Sequence, residues 1–142
     1  HKHRVELIKN GAQRLGLTSV IPMVNNGMKF NSALPFSDKI ICDVPCSGFG
    51  IIRRKPDIRY KDLDSIKQLP EVQKHILETS SLYLKRGGKL LYSTCTLNKR
   101  ENEKVVAEFI EENKDFCITE SKTVFPGENG GDGFFYSVIE RI

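Results

Sequence analysis

Apolar residues fall at helical or strand spacing along most of the chain, and the spacing switches several times. Between His3 and Leu15 they sit at Val5, Leu7, Ile8, Ala12 and Leu15, which predicts a helix closed by Gly16. The short apolar run Val20 to Val24 predicts a strand. Residues 25–37, rich in Asn, Gly, Ser and Pro, predict a loop. Lys39 to Val44 (Lys-Ile-Ile-Cys-Asp-Val) reads as a buried strand ending at Pro45. Residues 45–61 then form a long Gly- and Arg-containing loop, and loops of that length inside compact domains are usually functional. Asp62 to Leu84 is helical with a break near Pro70, because Pro is well tolerated in a first helical turn and the main helix can start there. Gly87-Gly88 ends it, and Lys89 to Thr94 predicts a strand. Asn98 to Lys114 predicts an amphipathic helix with Val105, Val106, Phe109 and Ile110 on one side. Residues 116–125 read as a strand, Pro126 to Gly133 as a turn-rich loop, and Phe134 to Ile139 as a final strand.

Such alternation of helices and strands predicts a three-layer α/β fold around a mostly parallel sheet. No helix separates the last two strands, so they are expected to pair antiparallel at an edge. The 142 residues, 39% of them apolar, suffice for one compact domain or a large piece of one. No apolar stretch reaches the length of a membrane span, and no secretory signal opens the chain. There is no initiator Met, and the sequence starts inside a predicted helix; both suggest a piece cut from a longer chain. With 22 basic and 18 acidic residues, the net charge of +4 permits a polyanionic partner without requiring one. The four cysteines, at 42, 46, 95 and 117, contain no C-x-x-C pair, so no metal site is expected. Without a secretion signal a disulfide framework is not expected either, and the chain reads as cytoplasmic. Cys42 and Cys117 lie in apolar, strand-like surroundings and read as buried thiols.

Two stretches carry candidate chemistry: Asp43-Val44-Pro45-Cys46-Ser47-Gly48-Phe49-Gly50 and Tyr92-Ser93-Thr94-Cys95-Thr96. Each directly follows an apolar strand. Open parallel sheets bind ligands beyond the carboxyl ends of their strands, so parallel pairing would put Cys46 and Cys95 on one rim. Taken singly, Pro-Cys-Ser-Gly is also an ordinary tight turn, and Ser-Thr-Cys-Thr also a strand end with a buried thiol. On spacing alone, the structural and functional readings stay open.

Asp-x-Pro-Cys-Ser-Gly-x-Gly followed by Arg-Arg-Lys-Pro-Asp-Ile resembles the Sun (Fmu, RsmB) family of RNA 5-methylcytosine methyltransferases. So do Gly-Gly-Lys-Leu-Leu-Tyr-Ser-Thr-Cys-Thr-Leu, the Glu101-Asn102-Glu103 after it, and Asp132-Gly133-Phe134-Phe135. The likeness runs through nearly the whole chain in order and is greatest to the bacterial branch that methylates 16S ribosomal RNA. It implies a Rossmann-like S-adenosylmethionine methyltransferase fold, with residues 1–142 as its C-terminal portion: a mostly parallel sheet whose last strand is antiparallel. It also implies covalent catalysis, in which a thiolate adds to cytosine C6 and makes C5 nucleophilic toward the donor methyl. By the resemblance Cys95 is that nucleophile, and Cys46 assists product release. Asp43 matches a family Asp that contacts the donor and target region. Asn26 stands where an Asp usually faces the donor adenine; it keeps a carbonyl acceptor but loses the charge.

The segment Ile51 to Lys61 holds five positive side chains in eleven residues. Arg53, Arg54, Lys55 and Arg59 are the candidate RNA contacts, because cations there would meet phosphates beside the target base. Tyr60 can stack on a base or fill the core. Glu101-Asn102-Glu103 reads as the acidic opening of a helix, and His75 receives no role. The donor site is expected to be incomplete: the family's Gly-rich turn and acidic strand end are absent, as is its N-terminal RNA-binding region. The 142 residues alone are therefore expected to be inactive. A transfer RNA methyltransferase, a non-catalytic RNA-binding relative, and a thiol redox or metal domain stand as alternatives.

Overall fold

The computed structural model describes residues 2–127 and 131–142. In chain order the elements are α1 (Lys2–Arg14), β1 (Ser37–Asp43), α2 (Leu63–Lys67), α3 (Leu69–Ser81), β2 (Leu84–Thr94), α4 (Glu103–Glu112), β3 (Phe116–Val124) and β4 (Phe134–Arg141). Two short 3-10 turns, Phe49–Ile51 and Pro56–Tyr60, interrupt the long loop after β1.

The four strands form one sheet in the order β1-β2-β4-β3. β1 and β2 are parallel, with Cys42 opposite Tyr92 and Asp43 opposite Ser93. β4 runs antiparallel to both β2 and β3, so β1, β2 and β3 point one way and β4 alone opposes them. This is the mixed, mostly parallel sheet the sequence implies, with its last strand antiparallel. The last two strands pair antiparallel at an edge, as expected. β4 lies inside the sheet, where Phe135, Ser137 and Ile139 are all buried, and β3 forms the edge with most of its residues exposed.

Side-chain periodicity placed most elements correctly, and tertiary contacts moved several boundaries. Gly16 closes α1 at φ 68°. The Gly16 N–H donates to Gln13 O at 3.1 Å and the Leu17 N–H to Ala12 O at 2.9 Å, the paired bonds of a Schellman cap. Val20 to Val24 forms no strand; Pro22 offers no N–H to a ladder, and Ile21 is 85% exposed. Asp62 caps α2 by accepting from the Asp64 and Ser65 N–H groups, and Pro70 sits in the first turn of α3. Gly87-Gly88 does not end that helix, which stops at Ser81; the pair forms an irregularity within β2, where Gly87 has φ 73° and the register with β1 shifts.

The core fills the space between the sheet and α3 and α4. Leu77, Leu84, Leu90, Tyr92, Val105, Val106, Phe109, Phe135 and Ile139 form it. Phe109 meets Phe116 edge-on at 5.2 Å between ring centroids, a geometry that favours aromatic pairs beyond simple burial. Cys42 is buried as expected and Cys117 half-buried. No helix among the described residues is long and apolar enough to cross a membrane.

Candidate active site

Parallel, in-register pairing carries β1 and β2 to the same rim. The Val44 N–H donates to Ser93 O at 3.2 Å, extending the ladder one residue beyond β1. Past that point the two chains turn out of the sheet and bring their cysteines together. The Cys46 and Cys95 Sγ atoms lie 3.0 Å apart, and either thiol can donate to the other. The Cys95 N–H also donates to Cys46 Sγ at 3.3 Å. Both cysteines are free and half-buried. Burial, then the hydrogen bond and charge interaction with Cys95, push the Cys46 thiol from 9.0 up to about 12. Taking a thiolate out of water is unfavourable, and a second one beside it more so.

The turn carrying Cys46 is shaped by close backbone approach. Gly48 has φ 82°, and a Cβ there would meet Ile58 Cδ1 at 2.9 Å. The Gly50 N–H donates to Cys95 O at 3.0 Å, and the Gly133 N–H donates to Gly50 O at 2.8 Å. A Cβ on Gly50 would fall 2.0 Å from Gly133 O, so three chain segments meet where a side chain has no room. Ser47 is fully buried; its Oγ lies 2.7 Å from Thr96 Oγ1, and its carbonyl accepts from Lys61 Nζ at 2.7 Å.

Asp43 and Asn26 line one cavity of about 580 Å³, together with Arg4, Pro45 and Ile76. Asp43 Oδ1 accepts from the Ser93 hydroxyl at 3.1 Å. Asn26 Oδ1 accepts from the Met28 N–H at 3.0 Å in a local turn. The basic loop is exposed: Arg53, Arg54, Lys55 and Arg59 all face solvent. Two of them are not independent charges. Arg54 pairs through Nε with Asp132, and Arg53 Nη2 lies 3.8 Å from the same carboxylate. Tyr60 is 87% exposed, which removes the core alternative.

The sequence reading passed over Glu101 and Asn102. Both precede α4, which begins at Glu103 rather than Asn98, and both are buried. Asn102 accepts from Thr94 Oγ1 at 2.6 Å and donates to Thr96 O at 2.9 Å, bracketing Cys95. Glu101 accepts from the Ser47 N–H at 2.8 Å. Their place in a quoted family motif was the available signal; helical spacing concealed it.

Residues 1–140 match the family described as 16S rRNA methyltransferase RsmB/F. The chain belongs to this family. Among RsmB/F relatives, the probable ribosomal RNA small subunit methyltransferase B of Bacillus subtilis is 45% identical over 119 residues, which are 82% of this chain and 27% of that protein. Among solved structures, NSun6 from Pyrococcus horikoshii with SFG matches at a TM-score of 0.86 and 26% identity, over 99% of this chain and 39% of that one. A methyltransferase homolog protein from Pyrococcus horikoshii matches at 0.83 and 26% identity, over all of this chain and 51% of its own. This RsmB/F chain thus spans about a quarter of the length of that curated relative.

Proposed function

We propose that this RsmB/F chain carries the methyl-acceptor site of an S-adenosylmethionine-dependent RNA methyltransferase that modifies cytosine C5 in 16S ribosomal RNA. The observation that carries the reading is the thiol pair, 3.0 Å apart beyond the carboxyl ends of adjacent parallel strands. Cys95 adds to C6 of a cytosine drawn out of its stack. The addition converts the ring to an enamine whose C5 is nucleophilic. Once C5 carries the methyl group, loss of its proton to a base and departure of the Cys95 thiolate restore the aromatic ring. Cys46, kept as S–H by a thiol pushed up to about 12, is poor as a nucleophile but able to donate to the departing sulfur. The roles of Cys95 as nucleophile and Cys46 as release helper rest on the likeness of the two motifs to those of the family.

S-adenosylmethionine, when bound, supplies the methyl group. The residues present fit it. The cavity holding Asp43 and Asn26 reaches Pro45, the neighbour of Cys46, and the Asn26 carbonyl has a second lone pair for an adenine amino group. The similar NSun6 was solved with SFG, an analogue of this donor. Lys55 and Arg59 hold phosphate, with Arg53 and Arg54 set in place by Asp132. Because the chain matches only part of its relatives, the activity belongs to the full-length protein. The 142 residues alone, which match 27% of the Bacillus subtilis relative, are expected to bind donor weakly; micromolar binding in calorimetry would contradict that.

The deciding experiment incubates the full-length protein with donor and RNA containing 5-fluorocytosine, whose C5 holds no removable proton. A stable adduct on the peptide containing Cys95 is expected by mass spectrometry. An adduct-free protein, or one modified at Cys46, overturns the reading.

A further inference from the structure

Beneath the two cysteine turns lies a carboxylate that the proposed reaction does not use. Glu101 is fully buried. Its Oε2 accepts from the Ser47 N–H at 2.8 Å and from Gln73 Nε2 at 3.0 Å, and Gln73 Nε2 also donates to Pro45 O at 2.8 Å. Pro45 and Ser47 flank Cys46. The other oxygen, Oε1, accepts from Asn98 Nδ2 at 2.8 Å, and Asn98 is in the turn that leaves Cys95, where its N–H donates to Thr96 Oγ1 at 3.3 Å. One oxygen therefore holds the Cys46 turn and the other the Cys95 turn. The Glu101 carbonyl is itself fixed to β2 by the Tyr92 hydroxyl at 2.6 Å.

Three neutral donors converge on this side chain. A buried carboxylate is tolerated only when hydrogen-bonded, and an ionised one accepts at both oxygens and donates at neither. An amide here would set its own N–H groups against one of the donors. We propose that Glu101 is the positioning residue of the thiol pair, setting the separation and alignment of Cys46 and Cys95. It touches neither sulfur. The consequence for turnover rests on the covalent reading above; the consequence for thiol geometry does not.

The test compares full-length Glu101→Gln with Asn98→Ala, which cuts the arm to the Cys95 turn together with a local bond from the Arg100 N–H, and with Glu108→Gln, an exposed control on α4. The first measurement needs no RNA. Diamide oxidises the pair: each thiol gives up one hydrogen, the S–S bond forms, and diamide takes both hydrogens to become a hydrazine. The Cys46–Cys95 linked peptide is followed by mass spectrometry. Glu101→Gln should form it about tenfold more slowly, and Asn98→Ala should fall between that variant and wild type. The second measurement is steady-state methylation, where kcat should fall about tenfold or more while KM for RNA holds, as expected when orientation rather than binding is lost.

A folded Glu101→Gln protein with wild-type cross-linking overturns the inference, as does a change confined to KM. If Glu101→Gln does not fold, Asn98→Ala decides, and a wild-type rate there overturns it. Should the wild-type protein form no adduct with 5-fluorocytosine RNA, the covalent reading fails while the cross-linking rates still judge Glu101.

Discussion

The two cysteine turns leave the same rim but are held by different means. Cys46 follows β1, which among the described residues pairs with β2 alone, and its turn is gripped by side chains from distant parts of the chain. Lys61 binds the Ser47 carbonyl, Gln73 the Pro45 carbonyl, and Glu101 the Ser47 N–H. Cys95 follows β2, which is paired on both sides by β1 and β4, and its own carbonyl is engaged by the Gly50 backbone. In the proposed reaction Cys95 is the nucleophile, which must be held to within fractions of an ångström by a rigid element, and it follows the strand paired on both sides. Cys46 is instead set by a net of polar contacts, and burial raises its thiol. The contrast shows how one rim can seat two similar thiols by different contacts.

The strongest way to break this contrast is to remove each sulfur. Cys95→Ser should reduce adduct formation by at least about 10³-fold, since loss of a covalent nucleophile removes the pathway. Cys46→Ser should let the adduct form and accumulate while turnover falls by about 10²-fold or more; a block before the adduct would reverse the two roles. Next in size is Gly50→Ala. Its Cβ would strike Gly133 O, so a loss of about 3 kcal/mol in urea unfolding is expected, and less than about 1 would mean the contact yields easily.

Alkaline pH sharpens the same contrast. Cys46 and Cys42 are raised by burial from 9.0 to about 12 and about 11 in the folded chain. Unfolded thiols ionise near their ordinary value while these remain protonated, so their contribution is full below pH 9 and is lost as pH rises toward the folded values. Urea midpoints should fall through that window, and Cys46→Ser should flatten the fall; an unchanged slope would show Cys46 ionising like an exposed thiol. The smallest effect is expected for Arg59→Ala, which should lower the salt dependence of RNA binding by about one unit of slope without altering sequence preference.

Much of this arrangement was legible in the residues. The runs before Pro45 and Cys95 marked two strands whose shared direction places both thiols on one rim, but β1, expected to be buried, has Cys42 alone buried and Ile41 75% exposed. Local patterns also found the Gly16 cap and the Pro70 helix start. They failed where distant contacts overrule local preference. Glu101 has the spacing of a helix residue, and only the convergence of Ser47, Gln73 and Asn98 shows why it is buried. Gly87-Gly88 has the composition of a helix stop, yet pairing with β1 draws it into a strand. The Val20–Val24 run is apolar enough for a strand but finds no partner among the described residues. Arg53 and Arg54 read as open charges until Asp132, far along the chain, is seen beside them.

The parallel pairing of β1 with β2 has a consequence for the birth of the protein. Cys46 and Cys95 are 49 residues apart in the chain, and the loop between them must close before the contact rewards it. A nascent or partly folded chain therefore carries two ordinary, separate thiols. β4, which secures the other side of β2, follows both thiols in the chain. A Cys46–Cys95 cross-link therefore reports that β1 and β2 have come together as parallel neighbours.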